Sequence, residues 1–249
     1  MRLATAGMLA SAVLCMAQGP PRGSVSPRAA APIDMTGYWV SQITEDWRYR
    51  MVTAPKGDAG GVPLNPEGRR AAAAWDPGKD EAAGDACKAY GAVGLLRMPL
   101  RLHITWESDS VLKLESDAGQ QVRRFSFGAP QGREGDLQGI SVASWDRPGS
   151  PMGFAFMLGG GGGPGGGSLK VVTSKMKPGY IHKNGIPYGA SAALTEYFDR
   201  FDVPGGDSLL VVSAEMTDPV YLSQPYWTSV HFKKQADGKG WNPTPCSAR

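Results

Sequence analysis

The sequence predicts an all-β protein: an antiparallel barrel of about eight or nine strands with a short helical insert after the first strand. Glycine and proline are frequent, with 34 and 20 residues in a chain of 249, which favours many short strands joined by turns. From residue 100 onward, short segments of alternating apolar and polar residues follow one another closely. Closing so long a sheet into a barrel removes its exposed edges.

The first residues are typical of an export signal. Arg2 supplies a positive start, residues 3–17 carry no charge, and the small residues Cys15 and Ala17 suit a cleavage site. A membrane anchor is the alternative, but this segment is shorter than the roughly 20 residues that a bilayer-spanning helix needs. We therefore expect an exported protein, periplasmic or extracellular, with a signal peptide over residues 1–17 and no membrane span.

The charge of the mature chain is balanced. Three of the 26 basic residues, Arg2, Arg22 and Arg28, lie before residue 29, where no acidic residue occurs. The remainder holds 23 basic and 23 acidic residues and has no long basic run. Nucleic acid is therefore not an expected partner.

Three cysteines occur in the chain, and Cys15 lies in the predicted signal peptide. The two others, Cys87 and Cys246, most simply form one disulfide in an exported protein. A thiol nucleophile is the alternative, but neither cysteine has a His close by in the sequence. We therefore expect the disulfide.

The mature chain begins with a segment of distinct amino-acid composition. Residues 18–34 are rich in Pro, Ala and Ser and lack hydrophobic periodicity, so we expect a disordered tether. The barrel then occupies residues 35–249 as a single domain, with a first strand at about residues 36–44.

The insert, residues 52–99, carries helix signals. Asn65 followed by Pro66 is a good helix start, with Asn as the cap and Pro at the first helical position. This helix is expected to end at Asp76, before a proline, and a second short helix is expected at about residues 79–90. The insert has few large apolar residues, so we expect it to cover one opening of the barrel rather than form a separate domain.

Eight further strands follow the insert, separated by turn residues. A glycine-rich segment at residues 159–167 interrupts them. It lacks the Lys and Ser/Thr of a phosphate-binding loop, so we expect a hairpin loop there. The predicted strands are 100–107, 110–116, 120–127, 137–145, 168–176, 193–201, 207–216 and 227–234.

The first strand contains Gly37-Tyr38-Trp39, which resembles the Gly-x-Trp motif that opens lipocalin-like (calycin-type) β-barrels. In those barrels the Trp plugs the closed end and an Arg of the last strand covers it. The last strand here offers Lys233 and Lys234 instead, and the insert is far longer than in a true lipocalin. The resemblance implies a barrel with one closed end and one open mouth.

A second resemblance covers nearly the whole mature chain. The segments TEDWRYRM, RLHITWE and GWNPTPC are similar to those of a group of exported bacterial proteins of unknown role. This resemblance implies export and the same fold, and it implies no activity.

The strand RLHITWE (101–107) has one apolar and one polar face. Leu102 and Ile104 share one face, and His103 and Glu107 share the other. If the polar face meets water, the strand is an ordinary half-buried one. If the polar face lines the lumen, His103 becomes a candidate general acid or base near neutral pH.

The other two histidines present related choices. His231 lies on the polar side of the last strand, as His103 does on its own strand. His182 follows Tyr180 in a segment rich in Gly and Pro, where we expect exposure to solvent. None of the three histidines has a ligand spacing such as H-x-H or H-E-x-x-H, and no nucleotide fingerprint occurs, so no metal and no cofactor are expected.

Two later strands place charge among aromatic rings. Glu196 shares a face with Phe198 and Arg200, and an ion pair with Arg200 could lie either in the barrel or on its surface. Arg123 shares a face with Phe125, which indicates the wall of a pocket.

The cluster EDWRYR (45–50) lies where the first strand reaches the open mouth of the predicted barrel. As a strand it would place Asp46, Arg48 and Arg50 on one face and Trp47 on the other. Rings and guanidinium groups at a mouth suit an aromatic or acidic small ligand. The alternative is a structural ion network that ties the strand to the insert.

Two functions remain open. The first is an exported barrel that binds a small hydrophobic or aromatic molecule in its lumen. The second is a cofactor-independent lyase, isomerase or hydratase that uses a His–carboxylate pair. The candidate ligand-binding residues are Trp47, Arg48, Arg50, Arg123 and Tyr188, and the candidate catalytic residues are His103, His231, Asp46 and Glu196.

Overall fold

The computed structural model describes residues 25–146 and 167–248, which form a closed β-barrel of nine strands, a two-stranded hairpin and short helices. The all-β prediction with a helical insert is confirmed, and every predicted barrel strand is present within a few residues of its expected position. The strands are β1 (Gly37–Gln42), β2 (Arg101–Ser108), β3 (Val111–Ser116), β4 (Val122–Ser126), β5 (Ile140–Asp146), β6 (Ser168–Ser174), β7 (Gly179–His182), β8 (Ile186–Tyr188), β9 (Ala193–Asp202), β10 (Ser208–Thr217) and β11 (Tyr226–Gln235). The helices are α1 (Trp47–Arg50), α2 (Pro66–Ala74), α3 (Pro77–Ala82) and α4 (Ala92–Leu95), with a 3₁₀ turn at Lys88–Tyr90.

The barrel is a meander closed on itself. Neighbouring strands follow the chain order from β1 through β6 and on through β9, β10 and β11, and β11 pairs with β1. The described pairs are antiparallel except β4 and β5, which are parallel at Phe125–Ser141 and Ser126–Val142. Nine strands cannot alternate direction all the way around a closed ring, so one parallel pair is required. The prediction of antiparallel strands therefore holds for the described barrel pairs other than β4–β5.

Apolar side chains fill the barrel. On β2, Leu102 and Ile104 are fully buried inside, and His103 between them faces outward. The interpretation in which the polar face of β2 lines the lumen is therefore wrong. The same alternation on the other strands brings a single core together, which includes Leu112, Leu114, Phe125, Leu169, Phe198, Leu210, Val230 and Phe232.

Trp39 plugs one end of the barrel, which we call the closed end. Its Nε1 donates a hydrogen bond to the carbonyl oxygen of Met35 over 2.8 Å. The Nζ of Lys234 lies 5.0 Å from the centroid of the Trp39 ring and donates to the carbonyl oxygen of Thr36 over 2.6 Å. Lys234 thus takes the place over the Trp that the lipocalin-like resemblance gives to an Arg.

Part of the predicted tether is ordered against this same end. Residues 25–34 are described, and Ile33 packs on the barrel core. The Nε1 of Trp145 donates to the carbonyl oxygen of Pro27 over 2.8 Å. The prediction of disorder is therefore wrong for residues 25–34, because apolar side chains and ring N–H groups at the closed end bind this segment.

The insert begins its helices where the sequence indicates. The side chain of Asn65 accepts a hydrogen bond from the N–H of Gly68, and Pro66 is the first residue of α2. Asp76 does not end a long helix but caps α3, whose first residue is Pro77. The predicted second helix is divided between α3 and the 3₁₀ turn, with Gly84 between them at a φ of 74°.

The opposite end of the barrel lies under the insert and the β7–β8 hairpin, and we call it the capped mouth. Leu194, Met216 and Tyr226 of the barrel pack there in an apolar cluster with insert and hairpin residues such as Leu64 and Ile186. This cluster is separate from the core that fills the barrel.

The predicted disulfide joins Cys87 and Cys246, with 2.02 Å between the sulfur atoms. It links the insert to the C-terminal segment, which bridges to the barrel through Ala118 and Thr244. Within residues 25–146 and 167–248, no helix is long and apolar enough to span a bilayer.

Three of the sequence predictions lie outside the described residues. They are the signal peptide at 1–17, the tether at 18–24 and the glycine-rich loop up to residue 166.

Candidate functional site

The cluster EDWRYR does not continue β1 as a strand. Asp46 adopts a left-handed conformation with φ 51°, and the four residues of α1 follow it. The chain therefore leaves the barrel at this point, and the predicted alternation of side chains along a strand is wrong. The carboxylate of Asp46 instead accepts a hydrogen bond from Arg97 over 2.9 Å.

The predicted ligand-binding residues of this cluster do not share one environment in the structure. Trp47 is 65% exposed. Arg48 is also exposed and pairs with Asp58 at 3.2 Å. Arg50 is buried, pairs with Glu45, and its Nε donates to the carbonyl oxygen of Arg97 over 2.8 Å. Arg50 thus ties the end of β1 to the insert, as the structural alternative expected.

His103 lies on the outer wall of the barrel. Its ring stacks on Tyr38 with the centroids 4.1 Å apart. Its Nδ1 lies 3.5 Å from a carboxylate oxygen of Glu115, and its side chain is 28% exposed. No lumen-facing proton-transfer site exists at His103, because the inner positions of β2 belong to Leu102 and Ile104.

His231 also faces outward, near the rim of the barrel. Its Nδ1 lies 3.1 Å from a carboxylate oxygen of Glu45, and Glu45 also pairs with the buried Arg50. Asp46 and Glu196, the two candidate catalytic carboxylates, contact Arg97 and Arg123 instead. The His–carboxylate pair is therefore on the outer surface rather than in the lumen.

Glu196 and Arg123 meet inside the barrel. The Nη1 and Nη2 atoms of Arg123 donate to the two carboxylate oxygens of Glu196, over 2.8 and 2.5 Å. Nη2 also donates to Thr173 Oγ1 over 3.1 Å. The predicted partner Arg200 pairs with Asp202 instead. The pair is almost completely buried, so loss of one partner would leave an uncompensated charge in the core.

A small cavity lies at the capped mouth, between the rim of the barrel and the insert. Ala92, Val93, Leu96 and Arg97 of the insert form its roof, and Glu196 contributes from within the barrel. The space open to the centre of a water-sized sphere is about 20 Å³, room for about one water molecule. The barrel walls include Val212, Ala214, Met216, Tyr226, Thr228 and Val230.

Arg97 brings positive charge into this cavity. Its side chain is 7% exposed, and one of its nitrogens pairs with Asp46. Its Nε and Nη1 are buried without a hydrogen-bond partner among the described residues. Its guanidinium carbon lies 6.0 Å from the ring centroid of Tyr226.

His182 is buried, and the prediction of an exposed loop is wrong at this position. It ends β7, and its ring lies 5.7 Å from that of Tyr49 and 6.5 Å from that of Tyr226. Neither ring nitrogen has a partner in the described part of the chain. Burial, reinforced by the charge of Arg97, lowers the pKa of His182 to about 3, so the ring is neutral at physiological pH.

Tyr188 lies beneath the insert rather than on an open surface. It is 1% exposed, and its hydroxyl has no hydrogen-bond partner among the described residues. Burial raises the pKa of this hydroxyl. A Cβ at Gly91 would lie 2.1 Å from the hydroxyl oxygen, so this position of the insert requires glycine.

Sequence reasoning missed Arg97 and misplaced His182, although each had a signal. Arg97 is the single charge in the apolar run 92–100 (AVGLLRMPL), a pattern typical of a buried polar group. Asn184-Gly185 follows His182 and is a strong hairpin turn signal.

The fold and the site together define a closed β-barrel with a plugged end and a capped mouth, compatible with the lipocalin-like class. No protein-family model matches the chain, and no curated protein sequence shows significant similarity to it. Within the described ranges, no three His, Cys, Asp or Glu side chains cluster closely enough to hold a metal ion.

Proposed function

We propose that the protein is an exported barrel that binds a small hydrophobic or aromatic molecule at the capped mouth. The observation that carries this proposal is the cavity between rim and insert, whose apolar walls are interrupted by a few polar groups such as Arg97 and Glu196. This composition is typical of small-molecule sites. The disulfide supports the expectation of export, because such bonds persist in oxidising compartments.

The ligand belongs at the mouth because the middle of the barrel is filled. Leu114, Phe125, Phe198 and Phe232 occupy the lumen and are fully buried. The cavity holds about one water molecule as it stands. Binding of an organic molecule therefore includes an outward movement of the roof, residues 92–97, of which four form the single turn of α4.

The proposal is tested by mapping where small aromatic probes bind. We expect benzyl alcohol and benzoate, titrated into the isotopically labelled mature protein, to shift the NMR amide signals of residues 92–97, Val212 and Tyr226. Ala214→Leu places extra atoms in the cavity and should weaken these shifts at least tenfold. Ala73→Leu, at an exposed position of α2, is the matched control and should leave them unchanged.

Two results would contradict the proposal. One is that the shifts map to the outer wall alone, for example to the Tyr38–His103 stack. The other is that Ala214→Leu binds both probes as wild type does.

The alternative function, a cofactor-independent lyase, isomerase or hydratase, has less support. It requires a His and a carboxylate within hydrogen-bond reach inside the cavity. His231 and Glu45 have that distance, but they lie on the outer face of the rim. His103 lies on the outer wall beside Glu115.

A further inference from the structure

Among the buried side chains at the capped mouth, Arg97 and His182 have nitrogens that the described residues do not satisfy. Arg97 has two such nitrogens, and both ring nitrogens of His182 are in the same state. A buried polar group without a partner is costly, and a native protein normally supplies one. Arg97 lines the cavity, and both its guanidinium group and the His182 ring lie against Tyr226, at 6.0 and 6.5 Å from the ring centroid.

We propose that the ligand of this site carries a carboxylate, and that Arg97 is the residue that binds it. This inference rests on the proposed function and specifies the chemical class of the ligand: a small monocarboxylate with a hydrophobic or aromatic body. The carboxylate accepts hydrogen bonds from Arg97, and the body packs against Val212, Met216 and the ring of Tyr226.

The charges around Arg97 favour an anion over a neutral group. The partner Asp46 is 45% exposed and bonds to one nitrogen, so water screens much of its charge, whereas the Arg97 side chain is 7% exposed. The other charges nearby are paired: Arg50, whose Nε bonds to the carbonyl oxygen of Arg97, with Glu45, and Glu196 of the cavity lining with Arg123. Arg97 is thus the cation of the lining whose guanidinium has nitrogens left over for an anion. Guanidinium groups bind carboxylates through charge-assisted hydrogen bonds, which are stronger than bonds between neutral groups.

His182 fits the same occupant. A neutral imidazole has one N–H donor and one acceptor nitrogen. The donor suits a carboxylate oxygen, and the rings of Tyr49 and Tyr226 hold the imidazole in place from two sides. His182 does not line the cavity, but Ile181 beside it in β7 does. The imidazole therefore offers a second N–H donor next to the cavity, and Arg97 is the donor within its wall.

The experiment compares three probes of similar shape: benzoate, benzamide and benzyl alcohol. Each is titrated into the full mature protein at pH 7, and binding at the cavity is followed by the NMR signals of Val212, Tyr226 and the Arg97 Nε–H group. We expect wild type to bind benzoate at least tenfold more tightly than benzamide. In Arg97→Met the two probes should bind with equal affinity. Arg70→Met, which removes an exposed arginine of α2, is the control and should keep the preference for benzoate.

The outcomes separate the inference from the proposed function. If benzamide and benzoate shift the cavity signals with equal affinity in wild type, the ligand class is wrong and the binding site stands. If Arg97→Met retains the preference for benzoate, Arg97 is not the anion receptor. If no probe shifts the cavity signals, the proposed function itself fails. The comparison of probes in wild type needs no variant, so poor folding of Arg97→Met does not prevent a decision.

Discussion

The two ends of the barrel differ in how many of their buried polar atoms have hydrogen-bond partners. At the closed end, the indole N–H groups of Trp39 and Trp145 each donate to a backbone carbonyl over 2.8 Å. Lys234 also donates to a backbone carbonyl there. Arg200 donates from Nη1 to the carbonyl oxygen of Asp34, and its buried Nε has no partner among the described residues. At the capped mouth, Arg97, His182 and Tyr188 retain buried nitrogen or oxygen atoms without partners among the described residues.

This difference indicates that the two ends have different roles. A buried polar group without a partner costs about 1–3 kcal/mol, so apolar residues at the capped mouth would give a more stable protein. Proteins accept such costs where function requires them. We therefore assign stability to the closed end, and we propose that an occupant of the capped mouth completes the hydrogen bonds there.

The largest expected effect comes from breaking the closed end. Trp39→Ala removes a fully buried ring, its hydrogen bond to Met35 and the surface on which Lys234 rests. We expect the free energy of unfolding to fall by about 3–5 kcal/mol. Chemical denaturation measures this loss. A loss below about 1 kcal/mol would contradict the assignment of stability to the closed end.

The plug at the closed end could be predicted from the sequence, because Gly37-Tyr38-Trp39 is a local motif on a strand with clear alternation. The strands could be predicted for the same reason. That the insert covers one opening could also be expected, because it has few large apolar residues of its own. The side-chain contacts at the capped mouth could not, because Asp46 adopts a left-handed conformation and a helix follows it in place of the expected strand. The contacts of Arg97 and His182 depend on how the insert and the hairpin dock, which is a tertiary property.

The next effect concerns the cross-link that ties the insert to the C-terminal segment. The disulfide spans a sequence separation of 159 residues, and its loss is expected to cost about 2–5 kcal/mol. In the double variant Cys87→Ser/Cys246→Ser, hydrogen exchange should accelerate first in residues 88–98, over the capped mouth. Protection around Trp39 should change less. Equal acceleration at both ends would show that the cross-link does not distinguish them.

A smaller effect should appear in the pH dependence of stability. The pKa of His182 is about 3 in the folded protein and 6.5 as its ordinary value. The folded pKa is depressed, so the unfolded chain takes up the proton first, and stability is lost as pH falls below 6.5. Arg97 favours this neutral state, while Asp46 and Asp58 oppose it.

We expect His182→Phe to remove this dependence. Between pH 7 and pH 5, wild type should lose roughly 2 kcal/mol more of its unfolding free energy than the variant does. At pH 7 the variant should be as stable as wild type or more so, because phenylalanine buries no unpaired nitrogen. Parallel pH profiles for the two proteins would show that His182 is protonated or paired in the folded state.

The smallest effect is expected at the ion pair between the exposed Arg48 and the half-buried Asp58, whose charged atoms lie 3.2 Å apart. Arg48→Ala should change the unfolding free energy by less than about 1 kcal/mol, because water screens exposed ion pairs. Thermal denaturation provides the measurement. A larger loss would mean that the outer surface of the insert contributes to the stability that we assign to the closed end.

The central claim, that the capped mouth holds a small molecule, is tested most directly by native mass spectrometry of the protein purified from its native host. We predict that wild type carries a single small organic molecule, which collisional activation releases as an anion. Ala214→Leu, expressed and purified in the same way, should carry none, while Ala73→Leu should carry the same molecule as wild type. A wild-type protein without any bound molecule, or the same molecule on Ala214→Leu, would contradict the account.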